Sequence, residues 1–500
     1  MASYWLETLG CPKNRVDSDK LAGVLALEGY ELAEEAGSAD LVVVNTCAFI
    51  EPAREESVAV VLEMASAKKA GARLVVTGCL AERYGTELAE AMPEVDQVAG
   101  FGVAFWDGVA GPKPAGPKAA GPTPTGPKAA GPEAAGPEAA GQKPAGGAPV
   151  TFGRSNAPAG TRRPHAGLGP SAEVRQPEVG QAVSDVAAEA PRRSESNFDL
   201  LELARPPAGA PWAYVKIAEG CDRHCGFCAI PEFRGPQRSR TREAILEEVE
   251  RLGAEEVVLV AQDPVSWGRE ARGTGGGRAG GLAGLVREVR QRVERVRLLY
   301  LYPSGLNDEL IEVLGSGGCP YFDLSLQHVS RPLLRRMRRY GDGERFLERI
   351  SFVRRHFPDA ALRSSFIIGY PGETEEDHDA LLCFLKEAEL DWAGFFAFSP
   401  EEGTYAASQA GQVPSGLVAE RARECSELQD TITAAHRSAL VGTKCRALID
   451  APGEARSHRE APEIDGVIGV PLDLVPGTWA ELEITGSLGP DLVGEPVVAL

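Results

Sequence analysis

Three short apolar runs near the start of the chain, YWLETLGC, LVVVNTC and RLVVTGC, each end on a cysteine and pass at once into sequence with helical periodicity. Alternating strand and helix predicts an open parallel α/β sheet over residues 1–106. In such a sheet the positions just past the strands' carboxyl ends gather along one edge, where ligands sit. Cys11, Cys47 and Cys79 are therefore expected to converge, although they are far apart in the chain. Singly, each reads as a small buried residue. Three at equivalent strand ends read as a site.

From residue 107 to 197 the pattern stops and a five-residue repeat, GPKPAGPKAAGPTPTGPKAAGPEAAGPEAAG, begins at Gly111. Glycine at every fifth rather than every third position excludes collagen. With so few large apolar residues the stretch reads as a disordered, partly extended linker. Order returns at WAYVKIAEGC, a strand, followed by the helix TREAILEEVERLG, the strand EVVLVAQD, the glycine-rich loop ARGTGGGRAGG and the helix LAGLVREVRQRV. Strands RLLYLYP, FDLSLQH, ALRSSFIIGY and AGFFAFSP follow, with helices such as TEEDHDALLCFLKEA between them. Repeated strand-helix units over residues 198–438 predict a full or partial barrel whose site lies at the strands' carboxyl ends. Residues 439–500 change character again: CRALID, GVIGV and WAELEI are separated by Gly and Pro turns and predict a small antiparallel barrel.

Composition narrows the class. The 57 glycines and 37 prolines among 500 residues point to the repeat. No apolar run reaches the roughly 18 residues of a membrane helix, and MASYWLETLGCPKNR has no secretory leader pattern, so a cytoplasmic location and no membrane partner are expected. Ten cysteines are too sparse for a disulfide scaffold, and their clustering reads as metal or redox chemistry. Lys plus Arg number 52 against 72 Asp plus Glu, a net charge of -20 that favours a basic partner over a phosphate backbone. A local basic patch leaves nucleic-acid contact open.

The densest chemistry is EGCDRHCGFCAIPEFRG, where Cys221, Cys225 and Cys228 follow the first barrel strand in a C-x3-C-x2-C spacing. A structural zinc site is normally closed by four protein ligands, and only His224 stands near enough in sequence to be a fourth. An iron-sulfur cube held by three cysteinates instead leaves one iron open for a small molecule. The first trio again lacks a fourth cysteine, so two 4Fe-4S clusters are expected, each with an open iron.

The spacing resembles that of the radical S-adenosylmethionine enzymes. GCPKNRVDSD, NTCAFIEPAREES and GCLAERY, with that motif and a small β domain, resemble the methylthiotransferase family. The resemblance implies a central barrel of the radical SAM type, a TRAM-like C-terminal barrel, S-adenosyl-L-methionine as cofactor and an electron-donor protein as partner. One branch of that family modifies an adenosine of transfer RNA. The other adds a methylthio group to the β carbon of an aspartate on small-subunit ribosomal protein twelve. GCDRHCGFCAIPEFRG, LVAQDPVSWG, YFDLSLQH, SPEEGT and APEIDG are similar to the second branch. Charge agrees: residues 441–500 carry four Lys and Arg against ten Asp and Glu, where a barrel gripping RNA should be basic and a ribosomal protein would meet an acidic surface. Pro264, Val265 and Ser325 depart from the family's usual residues and bear on substrate detail.

The barrel logic places Gln262 and Asp263 among cofactor or substrate contacts, with helix capping by Asp263 as the structural alternative. Gln327, beside His328, could bond the adenosyl ribose or be a satisfied loop residue. The resemblance implies adenine contacts near Ile367 and Gly369, with a plain turn as the alternative. Arg234, Arg238, Arg240 and Arg242 could bind a carboxylate of cofactor or substrate, or be solvated. RPLLRRMRR, from Arg331 to Arg339, could be an RNA patch but reads more readily as an exposed helix face. Cys383 and Cys445 are expected in the core, and Cys319 and Cys425 carry no motif. The rival from another class is a zinc-bound, non-catalytic adaptor at the ribosome.

Overall fold

The computed structural model describes residues 2–106, 199–269, 281–317 and 319–497. The linker expected at 107–197 and nearly all of ARGTGGGRAGG lie outside these residues. The first unit alternates β1 (Ser3–Thr8), α1 (Pro12–Leu27), β2 (Glu31–Leu32), β3 (Leu41–Thr46), α2 (Glu51–Ala67), β4 (Arg73–Gly78), α3 (Cys79–Ala91) and β5 (Gln97–Ala99). All pairs are parallel, in the order β2-β1-β3-β4-β5. β3 is buried along its whole length, as its unbroken run LVVV predicts for a strand covered on both faces. Its register with β1 (Thr8↔Asn45) and β4 (Thr46↔Gly78) sets the three carboxyl ends level, with a cysteine just beyond each.

Among the described residues the central unit has six parallel strands: β6 (Trp212–Lys216), β9 (Glu256–Val260) and β10 (Arg295–Leu298) in one sheet, and β11 (Tyr321–Gln327), β12 (Ala361–Ile368) and β13 (Trp392–Ala397) in another. A parallel bridge between Leu301 and Leu324 joins the two, giving an open, partial barrel. A short hairpin, β7 (Ala218–Glu219) with β8 (Arg238–Ser239), flanks the cysteine loop, which runs into the helix α4 (Ile230–Arg234). Helices α5 (Arg242–Leu252), α6 (Gly281–Arg290), α7 (Asp308–Ser316), α8 (Arg331–Arg336), α9 (Gly343–His356), α10 (Glu375–Ala388) and α11 (Ser415–Ala439) complete the unit. Alternation decides what fills it. Ala213, Val215, Val257 and Leu259 pack in the large core with the helices, whereas Tyr214, Val258, Val260 and Tyr321 pack in a separate core with Ala461 and Ile464 of the tail.

That second core locates the stretch APEIDG. Strands β14 (Lys444–Ala451), β15 (Glu454–Arg456), β16 (Ile468–Gly469), β17 (Trp479–Leu488) and β18 (Asp491–Pro496) close a small barrel. The loop between β15 and β16 reaches the strands' amino-terminal ends: Tyr214 Oη donates to Pro462 O (2.9 Å) and Tyr321 Oη to Asp465 Oδ2 (2.5 Å). Around it, buried Glu256 accepts from Arg297 (2.8 Å) and Arg456 (3.0 Å). APEIDG thus acts as a plug at the end opposite the cysteines. Asp450, Glu460 and Asp465 among the tail's acids face partners inside this seam, while Glu481, Glu483 and Glu495 stay exposed.

Cys383 departs from expectation: it is exposed on the outer side of α10, between the buried Leu381 and Phe384. Cys445 is only partly buried, and Cys319 and Cys425 are buried. Within RPLLRRMRR, Arg331, Arg335 and Arg336 are exposed as predicted, but Arg339 turns inward.

Candidate functional site

The first trio is assembled by the sheet edge. Cys11 stands just before α1 as its N-cap residue, Cys47 follows β3 and Cys79 begins α3. Asn14 ties the edge together, its amide donating to Leu9 O and Thr46 O (both 2.9 Å). Gly10 and Gly78 turn the chain into the left-handed region (φ 90° and 91°), and both are crowded. A Cβ on Gly10 would lie 2.8 Å from Cys47 Cβ, and one on Gly78 would lie 2.3 Å from Asn45 Oδ1. The thiols sense one another: burial raises the Cys47 pKa, and Cys79 and Cys11 raise it further. Burial also acts upward on Cys11, yet the Lys13 ammonium and the Arg234 guanidinium outweigh it and hold that thiol below its ordinary value.

The second trio sits where β6 and β7 leave the barrel. Burial pushes Cys221 up to about 11 and Cys228 up to about 12, the neighbouring thiols adding to both. Donors point at the sulfurs. The Arg223 amide lies 3.4 Å from Cys221 Sγ and Arg339 Nη1 lies 3.5 Å from Cys225 Sγ. Both guanidinium groups stack on Tyr302, at 3.7 and 4.0 Å from the ring centroid. Two residues earlier Tyr300 carries the Lys13 ammonium at 3.6 Å, so one segment past β10 touches the surroundings of both trios.

A buried charge network joins them. Glu219, next but one before Cys221, accepts from Arg234 Nη1 (2.7 Å), Lys216 Nζ (2.7 Å) and Gln262 Nε2 (2.8 Å). Lys216 also bonds Asp17 of α1. Burial alone would raise the Glu219 pKa, but Arg234 and Lys216 drive it far below the ordinary carboxylate range. Arg234, 7% exposed, also donates to Asn14 Oδ1 (2.8 Å) and Cys79 Sγ (2.9 Å). A further seam seats the sheet on the barrel: Glu401 of SPEEGT, 2% exposed, bonds Arg54 of α2 and Arg83 of α3.

The remaining expected residues divide. Gln262 and Asp263 lie at the mouth, Asp263 accepting from Arg223 Nε (2.7 Å) and Ser266 Oγ (2.6 Å) and making no side-chain cap. Gln327 ends β11 with φ 72°, a left-handed conformation like that of Tyr300 (φ 65°). His328 is fully buried, its Nδ1 accepting from the Ser330 amide (3.1 Å), and burial lowers its pKa to about 4. Ile367 pairs with Phe396, and the Gly369 amide donates to Glu373 Oε2 (2.6 Å). Arg238, Arg240 and Arg242 bond Asp199, Glu248 and Glu288, carboxylates of the protein itself. His224 is exposed. Sequence reasoning missed Lys13, Asp17, Lys216, Arg223, Tyr300, Tyr302 and Arg339. A lysine at an inward position of the apolar strand WAYVK was a readable signal for the network.

The donor set fits iron-sulfur cubes. Among the described residues no three His, Cys, Asp or Glu converge tightly enough for a single ion, and a cube makes no such demand, because each thiolate takes a different iron. A parallel barrel with three loop cysteines at its mouth defines the class: a radical S-adenosylmethionine enzyme, binding an iron-sulfur cluster and S-adenosylmethionine. Residues 215–385 match the Radical SAM superfamily, residues 3–100 the uncharacterized protein family UPF0004, and residues 441–497 the TRAM domain. Ribosomal protein uS12 methylthiotransferase RimO of Moorella thermoacetica is 37% identical over 96% of this chain and 95% of its own. That of Streptomyces griseus is 38% identical over 98% and 97%. The chain belongs to the ribosomal protein uS12 methylthiotransferase family. Among solved structures, the radical S-adenosylmethionine methyltransferase TsrM of Kitasatospora setae aligns over 79% of this chain and 73% of its own, at 16% identity and a TM-score of 0.42.

Proposed function

We propose that this chain methylthiolates the β carbon of an aspartate on ribosomal protein uS12, with one cluster on Cys221, Cys225 and Cys228 and a second on Cys11, Cys47 and Cys79. The observation that carries this reading is the connection of the two trios through one buried guanidinium, Arg234, at a single barrel mouth. When bound, the second-trio cluster with S-adenosylmethionine supplies the hydrogen-abstracting radical, and the first-trio cluster the sulfur.

The chain's own residues give this chemistry its setting. Glu219, Lys216, Asp17 and Arg234 pair with one another in a buried network that fixes the radical-motif loop against the sheet edge. Arg54 and Arg83, clamped on Glu401, hold the other side of the sheet unit. Two anchored seams orient the reacting groups and exclude water, which free solution does not do. Gln262, Asp263 and Gln327 at the strand ends, with the Ile367–Gly369 backbone, are assigned to the cofactor. The plugged far end leaves the cysteine side as the entrance for uS12.

Anaerobic reconstitution tests this. Iron and sulfide should approach two cubes per chain. Cys225→Ala should lose one cube and all cleavage of S-adenosylmethionine; Cys47→Ala should lose the other, keep cleavage and stop methylthio transfer. Mass spectrometry of uS12 and transfer RNA from a deletion strain reads the substrate. Methylthiolation surviving in Cys47→Ala, or a loss confined to transfer RNA, would overturn the proposal.

A further inference from the structure

Lys13 lies two residues beyond Cys11 in the first turn of α1, with its ammonium over the ring of Tyr300. Its situation differs from that of the other cations around the space between the trios. Lys216 is paired with Asp17 and Glu219, Arg234 with Glu219, Arg223 with Asp263, and Arg363 with Asp323 and Asp465. Arg339 donates to Ser325 O and Cys225 Sγ. Among the described residues, Lys13 Nζ has neither a carboxylate within ion-pair distance nor a hydrogen-bond acceptor.

The partner it does have is held in place at a cost. Tyr300 takes a left-handed backbone conformation, rare for a bulky side chain. Its amide is fixed by Asp323 Oδ2 (2.9 Å), itself held by Arg363 (3.1 Å). The result is an aromatic face at the barrel mouth, turned toward the sheet edge that carries Cys11. An ammonium on an aromatic face still has its N–H donors to offer a further partner. A half-buried cation with no carboxylate within ion-pair distance is otherwise an unfavourable arrangement.

Resting on the proposed function, we infer that Lys13 is the counter-charge for the side-chain carboxylate of the target aspartate and makes the site select an acid over an amide. Cation and carboxylate form a charge-assisted hydrogen bond. An asparagine of the same shape keeps the fit but loses the charge, leaving the ammonium without a carboxylate partner.

Purified uS12 with aspartate or asparagine at the target position is titrated into reconstituted wild-type enzyme, Lys13→Gln and Lys13→Arg, with S-adenosylmethionine present. Wild type should bind the aspartate form about tenfold or more tightly than the asparagine form. Lys13→Gln should bind the two alike with iron and sulfide content unchanged, and Lys13→Arg should restore part of the preference. Undiminished preference in Lys13→Gln, or loss of one cube's iron from it, overturns the inference, the latter by making Lys13 a support for the cluster. Mass spectrometry of wild-type product keeps the two readings apart: unmodified uS12 rejects the proposed function, whereas modified uS12 with an unchanged preference rejects only the role of Lys13.

Discussion

Arg234 Nη2 stands 2.9 Å from Cys79 Sγ while Nη1 of the same guanidinium stands 2.7 Å from Glu219 Oε1. Arg234 closes the loop that holds the radical-motif cysteines, so its two ends belong to different halves of the site. Its planar fork reaches a carboxylate and a cysteine sulfur together, which a lysine point charge does not do. Phe101 covers it at 4.6 Å.

Substituting Arg234 should therefore separate the two halves of the reaction. In Arg234→Met, methylthio transfer should fall by about 10- to 100-fold, the usual range for an outer partner of a metal ligand, with cleavage of S-adenosylmethionine without substrate much less affected. Losing a donor to Cys79 should also make the cluster proposed on the first trio harder to reduce, read as a more negative midpoint potential by redox-poised electron paramagnetic resonance. Arg234→Lys should recover part of the potential and little of the transfer. Equal losses in both activities would count against the separation.

Glu401 gives a second handle on the same coupling from the opposite side. It is buried and receives both Arg54 and Arg83, so Glu401→Gln leaves two guanidinium groups sharing a neutral acceptor. Breaking a buried pair from one side typically costs about 3–5 kcal/mol, and here the cost falls on the seat of the sheet unit. Limited proteolysis should release the sheet unit faster, and methylthio transfer should drop while cofactor cleavage persists. An unchanged digestion pattern would show that the network around Asp17 and Lys216 suffices to seat that unit.

The alternation of strand and helix, the parallel sheet and the gathering of Cys11, Cys47 and Cys79 along one edge were legible because each rests on a local pattern. Apolar runs end on GC or TC, and the barrel strands alternate with stretches of helical character. What was not legible depends on pairing across long separations. Lys216 reaches Asp17, Glu401 reaches Arg54 and Arg83, and Asp465 reaches Tyr321 and Arg363. APEIDG was readable as a family mark, whereas its place in the barrel's far end follows from tertiary packing alone. Cys383 misled because its apolar neighbours suggested burial on every side, while the helix leaves one face outward.

The glycine before Cys79 should be as demanding as the cysteine. Gly78 has φ 91°, and a Cβ there would press within 2.6 Å of the Thr46 amide nitrogen and 2.3 Å of Asn45 Oδ1. Neither backbone nor a doubly anchored asparagine moves easily, since Asn45 donates to Asn14 O and Ser18 Oγ. Gly78→Ala should thus lower the iron content by about one cube per chain, as Cys79→Ala would, with all ligands still present. Full iron and normal transfer in Gly78→Ala would mean that the edge has more slack than these contacts allow.

The plug at the far end predicts a pH dependence of its own. Burial acts to raise the Glu256 pKa, but Arg456, Arg297 and Arg295 outweigh it and hold the carboxyl at about 2 in the folded chain. The unfolded chain takes up that proton more readily, near the ordinary glutamate value of about 4.3. The stabilisation is therefore complete above about pH 4.3 and drains as the pH falls toward 2. Glu256→Gln removes the charge at every pH and leaves three arginines facing a neutral group. The variant should be less stable than wild type at pH 7, by about 3 kcal/mol or more, and the gap should narrow steadily on acidification below pH 4.3. Urea unfolding of the cluster-free chain, followed by the fluorescence of Trp212 and Trp479 beside this seam, measures both limbs. A gap that stays constant with pH would locate the acid sensitivity of the seam in other carboxylates, Glu460 first, whose pKa Arg437 and Ser457 likewise hold at about 2 against the opposing effect of burial.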